Sequence, residues 1–487
     1  MTRINTNVSA LIAQNNLNRT NEDLSTRLQR LSTGLKINRG ADDPAGLIVS
    51  ERLRTEISGV TQAIENVERA SSVIATTEGA LQEINSLLVS IKGLTIEAAN
   101  TGAFSQEEIE ANQLQIDSAV ESITRISNTA SFAGLKLLNG SLDYLSSGLT
   151  TSQITDVSVF GANFGLDDTV PVNVEVLNSA ERAELFISGN TAGATGELLS
   201  SVTFEVQGTR GVEVFSFVSG TALSAVAAAI NQVRDATGVT ASLVSASDPT
   251  SGLVLRSSEF GSDSFVSVRK LDDGDFFQTY DAQGGSAINR DEGADVLALV
   301  NGNLAIGDGL DVKLNTTSLN LGLTLASGAA QTTGSLYNFT ITGGGATYQI
   351  GPSVNTQQQV GFGIQSVAAT RLGNSRVGFL NSVVTGGDNS LVAGQARNAS
   401  EIINTAIDQI SVMRGRLGAF ERNTLQTSLR STQIALENLT ASESSIRDTD
   451  FAEETAKLTR AQILQQAGTS TLGIANSSAQ NVLSLLG

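Results

Sequence analysis

Residues 53–91 read LRTEISGVTQAIENVERASSVIATTEGALQEINSLLVSI, and an apolar side chain falls at every seventh position: Leu53, Val60, Val67, Ile74, Leu81 and Leu88. The flank of this line is Ile57 and Ile64 at first, then Ala70, Thr77, Ile84 and Ile91. An unbroken seven-residue apolar repeat is the seam of a coiled-coil helix. The flank changes sides because a straight helix drifts by about 20° per heptad, so only weak supercoiling is expected. Upstream, Asp42-Asp43-Pro44 offers a carboxylate cap followed by proline at the first helical position, where its missing N–H costs nothing. The helix is expected to end near Asn100-Thr101-Gly102.

A second helix is announced by Ser105-Gln106-Glu107-Glu108, in which Ser105 and Glu108 can satisfy each other's free backbone donors. Its apolar line is Ile109, Ile116 and Ile123, and the short connection makes it an antiparallel neighbour of the first helix. Near the other end of the chain, Ala399, Ile403, Ala406, Ile410, Met413, Leu417 and Phe420 alternate steps of four and three. After a register shift the pattern resumes with Leu425, Leu429, Thr432, Leu436, Leu439 and Ile446. Each buried Leu, Ile or Val contributes roughly 1.5–3 kcal/mol, which offsets helix ordering only if such seams meet. One bundle built from both chain ends follows, with core Leu53, Val60, Val67, Ile74, Leu81, Leu88, Ile403, Ile410 and Leu417.

The middle is different. Residues 1–139 hold 8 of the 47 glycines and residues 396–487 hold 5, which leaves 34 for the 256 residues between. The net charge of −19 divides the same way: −4 on the first segment, −1 on the last and −14 on the middle. Val202, Phe204 and Val206 alternate with period two, as do Leu319, Leu321, Leu323 and Leu325, and residues 336–341 are similar. One helix, residues 223–233, interrupts these strands. The fold class expected is therefore α+β: a long helical coiled-coil bundle from both chain ends with a β-rich central insertion forming outer domains. The expected divisions are residues 1–43 with 451–487, residues 44–179 with 380–450, and residues 180–379.

Composition removes most chemistry. The 487 residues include no His and no Cys, so there is no imidazole base, no thiolate nucleophile, no His or Cys zinc ligand and no disulfide. Asp272, Asp273 and Asp275 form an acidic turn without the full ligand loop of a calcium site. No enzyme, cofactor or metal is expected. The acidic balance repels phosphate backbones and anionic lipid, so neither nucleic acid nor membrane is an expected partner. The apolar run Ala10-Leu11-Ile12-Ala13 is too short for a cleaved signal peptide, and no stretch approaches the roughly 18 apolar residues of a membrane span.

No charged side chain lies between Ile4 and Asn18 or after Arg460, yet helical apolar spacing persists in both stretches. The line is Leu17, Leu24, Leu28, Leu31 and Leu35 at one end, and Leu472, Ala475, Ala479, Val482 and Leu486 at the other. A solvated helix normally carries salt-bridging charges, and a membrane-bound one carries Lys and Arg, absent from residues 461–487. Cover by copies of the same chain fits better, because a charge buried without a partner costs several kcal/mol whereas Asn, Gln, Ser and Thr can hydrogen-bond across the contact. Leu17, Leu24, Leu28, Leu31, Leu35, Leu472, Ala479, Val482 and Leu486 are thus the expected polymerisation residues.

Several motifs, in order, closely resemble one family. Ile4-Asn5-Thr6-Asn7, Leu31-Ser32-Thr33-Gly34-Leu35-Lys36-Ile37-Asn38 and Ala41-Asp42-Asp43-Pro44-Ala45-Gly46 resemble the amino-terminal segments of bacterial flagellins. Gly415-Arg416-Leu417-Gly418-Ala419, Ile446-Arg447-Asp448-Thr449-Asp450-Phe451-Ala452-Glu453-Glu454, Gln465-Gln466-Ala467-Gly468 and Val482-Leu483-Ser484-Leu485-Leu486 resemble the carboxy-terminal ones. The resemblance covers about 140 residues at the start and 90 at the end.

It implies a structural subunit of the flagellar filament, exported unfolded without a cleaved signal peptide and self-assembling into an extracellular helical tube for motility. The termini would form the inner tube and the acidic middle the outer surface. Implied partners are other copies of the chain, an export chaperone binding the carboxy-terminal segment, and the filament cap and hook-associated proteins. The resemblance also points to a region that an innate immune receptor reads in some flagellins. Here Leu94 is kept, while Ser90 replaces an arginine and Gln115 an acidic residue. The hook–filament junction protein shares the early motifs but not the ending at residues 465–486, and a coiled-coil adhesin would need an anchor that is not visible.

Overall fold

The computed structural model describes residues 6–164, 168–188, 196–272, 277–316 and 318–484. The helices are α1 (Val8–Thr33), α2 (Pro44–Ala98), α3 (Gln106–Thr129), α4 (Leu223–Gln232), the single turns α5 (Arg234–Thr237) and α6 (Ser327–Ala330), α7 (Ala396–Phe420), α8 (Gln426–Arg447) and α9 (Phe451–Ser484). A π-helical turn, Glu421–Leu425, joins α7 to α8 and accounts for the register shift in the apolar pattern there. The architecture is helical at both ends of the chain and β-rich in the middle.

The local signals act as their chemistry requires, with one refinement. The α2 cap is Asp43, whose Oδ1 accepts the Gly46 N–H at 2.9 Å. Asp42 instead ties the preceding turn, accepting from the Asn38 and Arg39 N–H groups at 3.0 and 2.8 Å, and these hydrogen bonds hold its carboxyl below the usual range. At α3 the reciprocal pair is formed: Glu108 N–H donates to Ser105 Oγ at 3.3 Å, and Ser105 N–H to Glu108 Oε2 at 2.8 Å.

The chain forms two compact units, residues 1–71, 349–358 and 421–487 in one, and residues 72–348 and 359–420 in the other. In the first, Val60 and Val67 of α2 are buried and Leu53 is half-buried. Arg447 Nη1 lies 3.0 Å from Glu51 Oε1. The Lys36 N–H donates to the Arg447 carbonyl at 2.7 Å and the Thr449 N–H to that of Gly34 at 2.9 Å, so the turn after α1 is stitched to the turn before α9. Ser428 Oγ donates to the Ile350 carbonyl at 3.0 Å. Gly59 lies under Pro352, where a Cβ would come within 3.2 Å of the ring. Apart from Leu425 at its entrance, the α8 line Leu429, Thr432, Leu436, Leu439 and Ile446 is only half-buried.

In the second unit, Ile74, Leu81, Ile84, Leu88 and Ile91 of α2, Ile109, Ile116 and Ile123 of α3, and Ile403, Ile410 and Leu417 of α7 are buried. Gln113 is nearly inaccessible and fully employed. It donates to the Val383 carbonyl at 2.9 Å and to Asp117 at 2.8 Å, and accepts the Leu391 N–H at 2.7 Å. Residues 383–391 are thereby pinned to α3.

The β region of this unit has two lobes. An eight-stranded antiparallel sheet runs, in spatial order, Tyr144–Ser147, Leu336–Gly344, Val170–Asn178, Leu297–Val300, Asn303–Asp308, Asp311–Asn315, Leu319–Leu325 and Ile154–Ala162. Its inward residues, among them Val172, Val174, Val300, Val312, Leu321 and Phe339, form one core. Three of its strands precede residue 180, so the β layer begins at Tyr144. The glycine and charge break at residue 139 falls just before this start, whereas the expected division at residue 179 placed these strands with the helices.

The second lobe has two four-stranded sheets closed over α4. One runs Thr279–Tyr280, Glu184–Ser188, Asp248–Ser257 and Val239–Ser245; the other Arg290–Glu292, Phe265–Lys270, Val202–Gly208 and Val212–Phe217. Phe204 stacks on Phe277 with ring centres 4.6 Å apart, in a core with Leu223, Val226 and Ile230 of α4. The chain enters and leaves this lobe at the bridge between Glu181 and Ala294.

Candidate assembly interface

The terminal helices α1 and α9 pair within the first unit. Asn7 caps α1, its Oδ1 accepting the Ala10 N–H at 3.0 Å, and Gly34 closes the helix in the left-handed conformation, φ 71°, with its N–H on the Arg30 carbonyl. Asp450 starts α9, accepting the Ala452 and Glu453 N–H groups at 2.8 and 3.1 Å.

Four cross-links set the pairing. Asn7 Nδ2 donates to the Ala475 carbonyl at 2.9 Å, Gln465 Nε2 to Asn21 Oδ1 at 2.8 Å, and Arg27 Nη1 to both Glu454 oxygens at 3.1 and 3.3 Å, while Leu35 bridges Asp448. As the first index rises the second falls by nearly the same amount, which fixes the helices antiparallel. Gly468 admits the closest approach: a Cβ there would sit 3.3 Å from Leu17 Cδ1.

Glu454 is 5% exposed, the one charged residue among those described to be buried so deeply. Arg27 compensates it, held also by Asp23 at 2.9 Å, and both carboxylates push its pKa up against the opposing effect of burial. No spacing in the sequence marked this pair. Its only signal is that Glu454 lies in the first turn of α9, where a carboxylate suits the helix dipole.

Of the expected polymerisation residues, Leu17, Leu24, Leu31, Leu35 and Leu472 are half-buried and Leu28 is exposed. Ala479 and Val482 fall in α9, but their side chains, like Leu486 and the acidic-turn residues Asp273 and Asp275, lie outside the described residues. The α1–α9 pair still presents large apolar side chains to solvent: Val8, Leu11, Ile12, Ile463, Leu464 and Ile474 are 49–69% exposed. Only Ala13 and Ala461 of the two helices' described apolar residues are buried. A pair cross-linked in this way still leaves a large apolar surface uncovered, as interaction surfaces do. In the other unit, Ser90 and Gln115 are exposed and Leu94 is half-buried. Among the described residues no helix is long and apolar enough to cross a membrane.

Helical termini with uncovered apolar faces, flanking a polar β insertion in the chain, are the construction of a structural protein. The comparisons with known proteins give the same answer. Residues 4–143 match the bacterial flagellin N-terminal helical region, residues 400–486 the bacterial flagellin C-terminal helical region, and residues 201–259, within the second lobe, the flagellin hook IN motif. The B-type flagellin of Pseudomonas aeruginosa is 31% identical, and a flagellin of Salmonella typhimurium 29%, each over 99% of both chains. A solved flagellar hook associated protein-3 from Legionella pneumophila is 13% identical, covering 81% of this chain and 98% of that one, with a TM-score of 0.31. A likeness that weak leaves the assignment resting on the sequence relatives. The chain belongs to the bacterial flagellins, and it is a structural subunit of the flagellar filament.

Proposed function

We propose that this chain polymerises through its terminal helices into the helical tube of the filament, with no enzymatic activity. Residues 1–43 and 451–487 form the inner layer. Residues 44–143 with 380–450 form the surrounding helical layer, and residues 144–379, including the three strands between 144 and 178, face outward. The observation that carries the reading is the uncovered, charge-free apolar surface of α1 and α9, including Leu11, Ile12, Ile463 and Ile474. Fully burying an exposed side chain of this size yields roughly 1.5–3 kcal/mol, so the six on α1 and α9, 49–69% exposed, contribute roughly 5–11 kcal/mol towards the freedom lost on docking.

The chain reaches the extracellular filament unfolded and without cleavage of a leader. Residues 461–486 are held by an export chaperone beforehand, since an uncharged amphipathic segment left bare would self-associate. In the assembled organelle the filament ends meet the cap and hook-associated proteins. Removing residues 461–487 tests the reading: a monomer with its β lobes intact is expected, and filaments formed from that truncation, seen by electron microscopy, refute it.

A further inference from the structure

We infer that the uncovered part of the eight-stranded sheet's outer face, away from the strands where Arg416 of α7 lies on Phe160, docks onto the same face of a second copy of this chain. This goes beyond assembly through the terminal helices, which can proceed with or without it. On the strands Leu297–Val300 and Asn303–Asp308, Ala298, Val300 and Ala305 are buried in the core, while on the opposite face Leu297 and Leu299 are half-buried and Leu304 and Ile306 exposed. In the register of that pair Leu299 stands opposite Leu304, which sets Leu297 opposite Ile306, so the four form one block. Leu304 is 64% and Ile306 74% exposed. Leu177, 37% exposed, adjoins the block on the next strand, whereas Leu336 is separated from Leu299 by Glu175 and lies outside it.

Outward positions of the second lobe show the contrast. There Thr203, Glu205, Gln207, Ser267 and Arg269 occupy the equivalent face, Glu205 pairs with Arg269 at 3.0 Å, and the edge-strand Val212 and Val214, about half exposed, are interleaved with these polar groups. A contiguous aliphatic block in a region carrying most of the chain's negative charge marks an interaction surface.

The charges at its rim identify the occupant. On one flank Glu175 stands beside Leu299; on the other Lys313 stands beside Ile306. Among the described residues Glu175 has no ion-pair partner, and Lys313 has only Asp308, at 3.3 Å and well exposed. The two charges lie diagonally across the aliphatic block. A two-fold axis in the plane of the face, running close to the strand direction between Leu299 and Leu304, exchanges the flanks and brings Glu175 of each copy towards Lys313 of the other. The face is therefore complementary to itself in shape class and in charge, as a two-fold contact requires. The block is small, so a single contact is weak. Filaments lying side by side would present it many times over and add the contacts by avidity.

The chain has no cysteine, so one introduced thiol reports alone. Full-length Leu304→Cys, next to the axis, is compared under mild oxidation with Ser242→Cys on the exposed side of the other lobe, both as concentrated monomer and as filaments. Disulfide-linked dimers are expected at least tenfold faster for Leu304→Cys. Adding Lys313→Glu or Glu175→Lys should slow the cross-link about fivefold, and the two swaps together should restore it. Folding is checked by circular dichroism and filament formation by electron microscopy, so a failure of assembly is seen separately. Equal rates for the two thiols, or a rate indifferent to the swaps, overturns the inference.

Discussion

Arg27→Met is the sharpest probe of the terminal helix pair. The substitution keeps an unbranched apolar stem on α1 and removes the only guanidinium on Glu454, whose side chain is 6% exposed. Breaking a fully buried ion pair from one side costs about 3–5 kcal/mol, because the surviving charge has neither water nor partner. Here Arg27 is itself 19% exposed and shared with Asp23, so water can reach part of the site, and about 2–3 kcal/mol is expected. Hydrogen–deuterium exchange of α1 amides in the dilute monomer reads this as local opening, and the same energy corresponds to roughly 30- to 150-fold faster exchange. Replacing both partners, Arg27→Met with Glu454→Leu, should return exchange to within about fivefold of the parent, since no charge is then stranded. If α1 exchange in the single variant stays within threefold of the parent, the ion pair does not hold the helices. If the double variant is as fast as the single, the buried-charge reasoning is wrong.

Other outcomes follow from the same structure. Leu24→Asp places a charge on a half-buried position of α1 and should abolish filaments in sedimentation assays while leaving the far-ultraviolet signal nearly unchanged; a monomer that unfolds would make Leu24 intramolecular core. Deleting residues 182–293 and joining Glu181 to Ala294, already bridged, removes the second lobe cleanly, so filaments should still form by electron microscopy. Asp143 is desolvated, which raises its carboxyl to about 6. The folded state thus keeps its proton after the unfolded chain has lost it. Ionisation at this site works against the fold increasingly from about pH 4 to pH 6 and fully above that. Asp143→Asn should therefore stabilise the protein at pH 7.5 and leave it unchanged at pH 4. The change from 3.8 to about 6 corresponds to about 3 kcal/mol, reduced to about 1–2 kcal/mol by residual solvent access; calorimetry across that range checks it.

Much of this was legible in the residues. The seven-residue line on α2, the Ser105–Glu108 cap and the period-two runs at 202–206 and 319–325 each express a geometry that repeats along the chain, and local chemistry alone specifies it. What joins distant segments was not. The α1–α9 register rests on Asn7, Asn21, Gln465 and one ion pair, scattered residues with no mutual spacing. The eight-stranded sheet pairs Tyr144–Ser147 with Leu336–Gly344, a closure no local pattern records. The aliphatic block stayed hidden because Leu297, Ala298, Leu299 and Val300 are consecutive apolar residues, and a run apolar on both faces has no period to show which side meets water.

The antiparallel union of α1 and α9 joins residues 7–35 to residues 448–475. A polypeptide delivered from its first residue onward holds α1 without its mate until nearly the whole length has arrived. Closure of that union is thus a test of completeness: only a chain carried through to its end can seal its own beginning, and a prematurely stopped product leaves the Arg27 side of α1 bare.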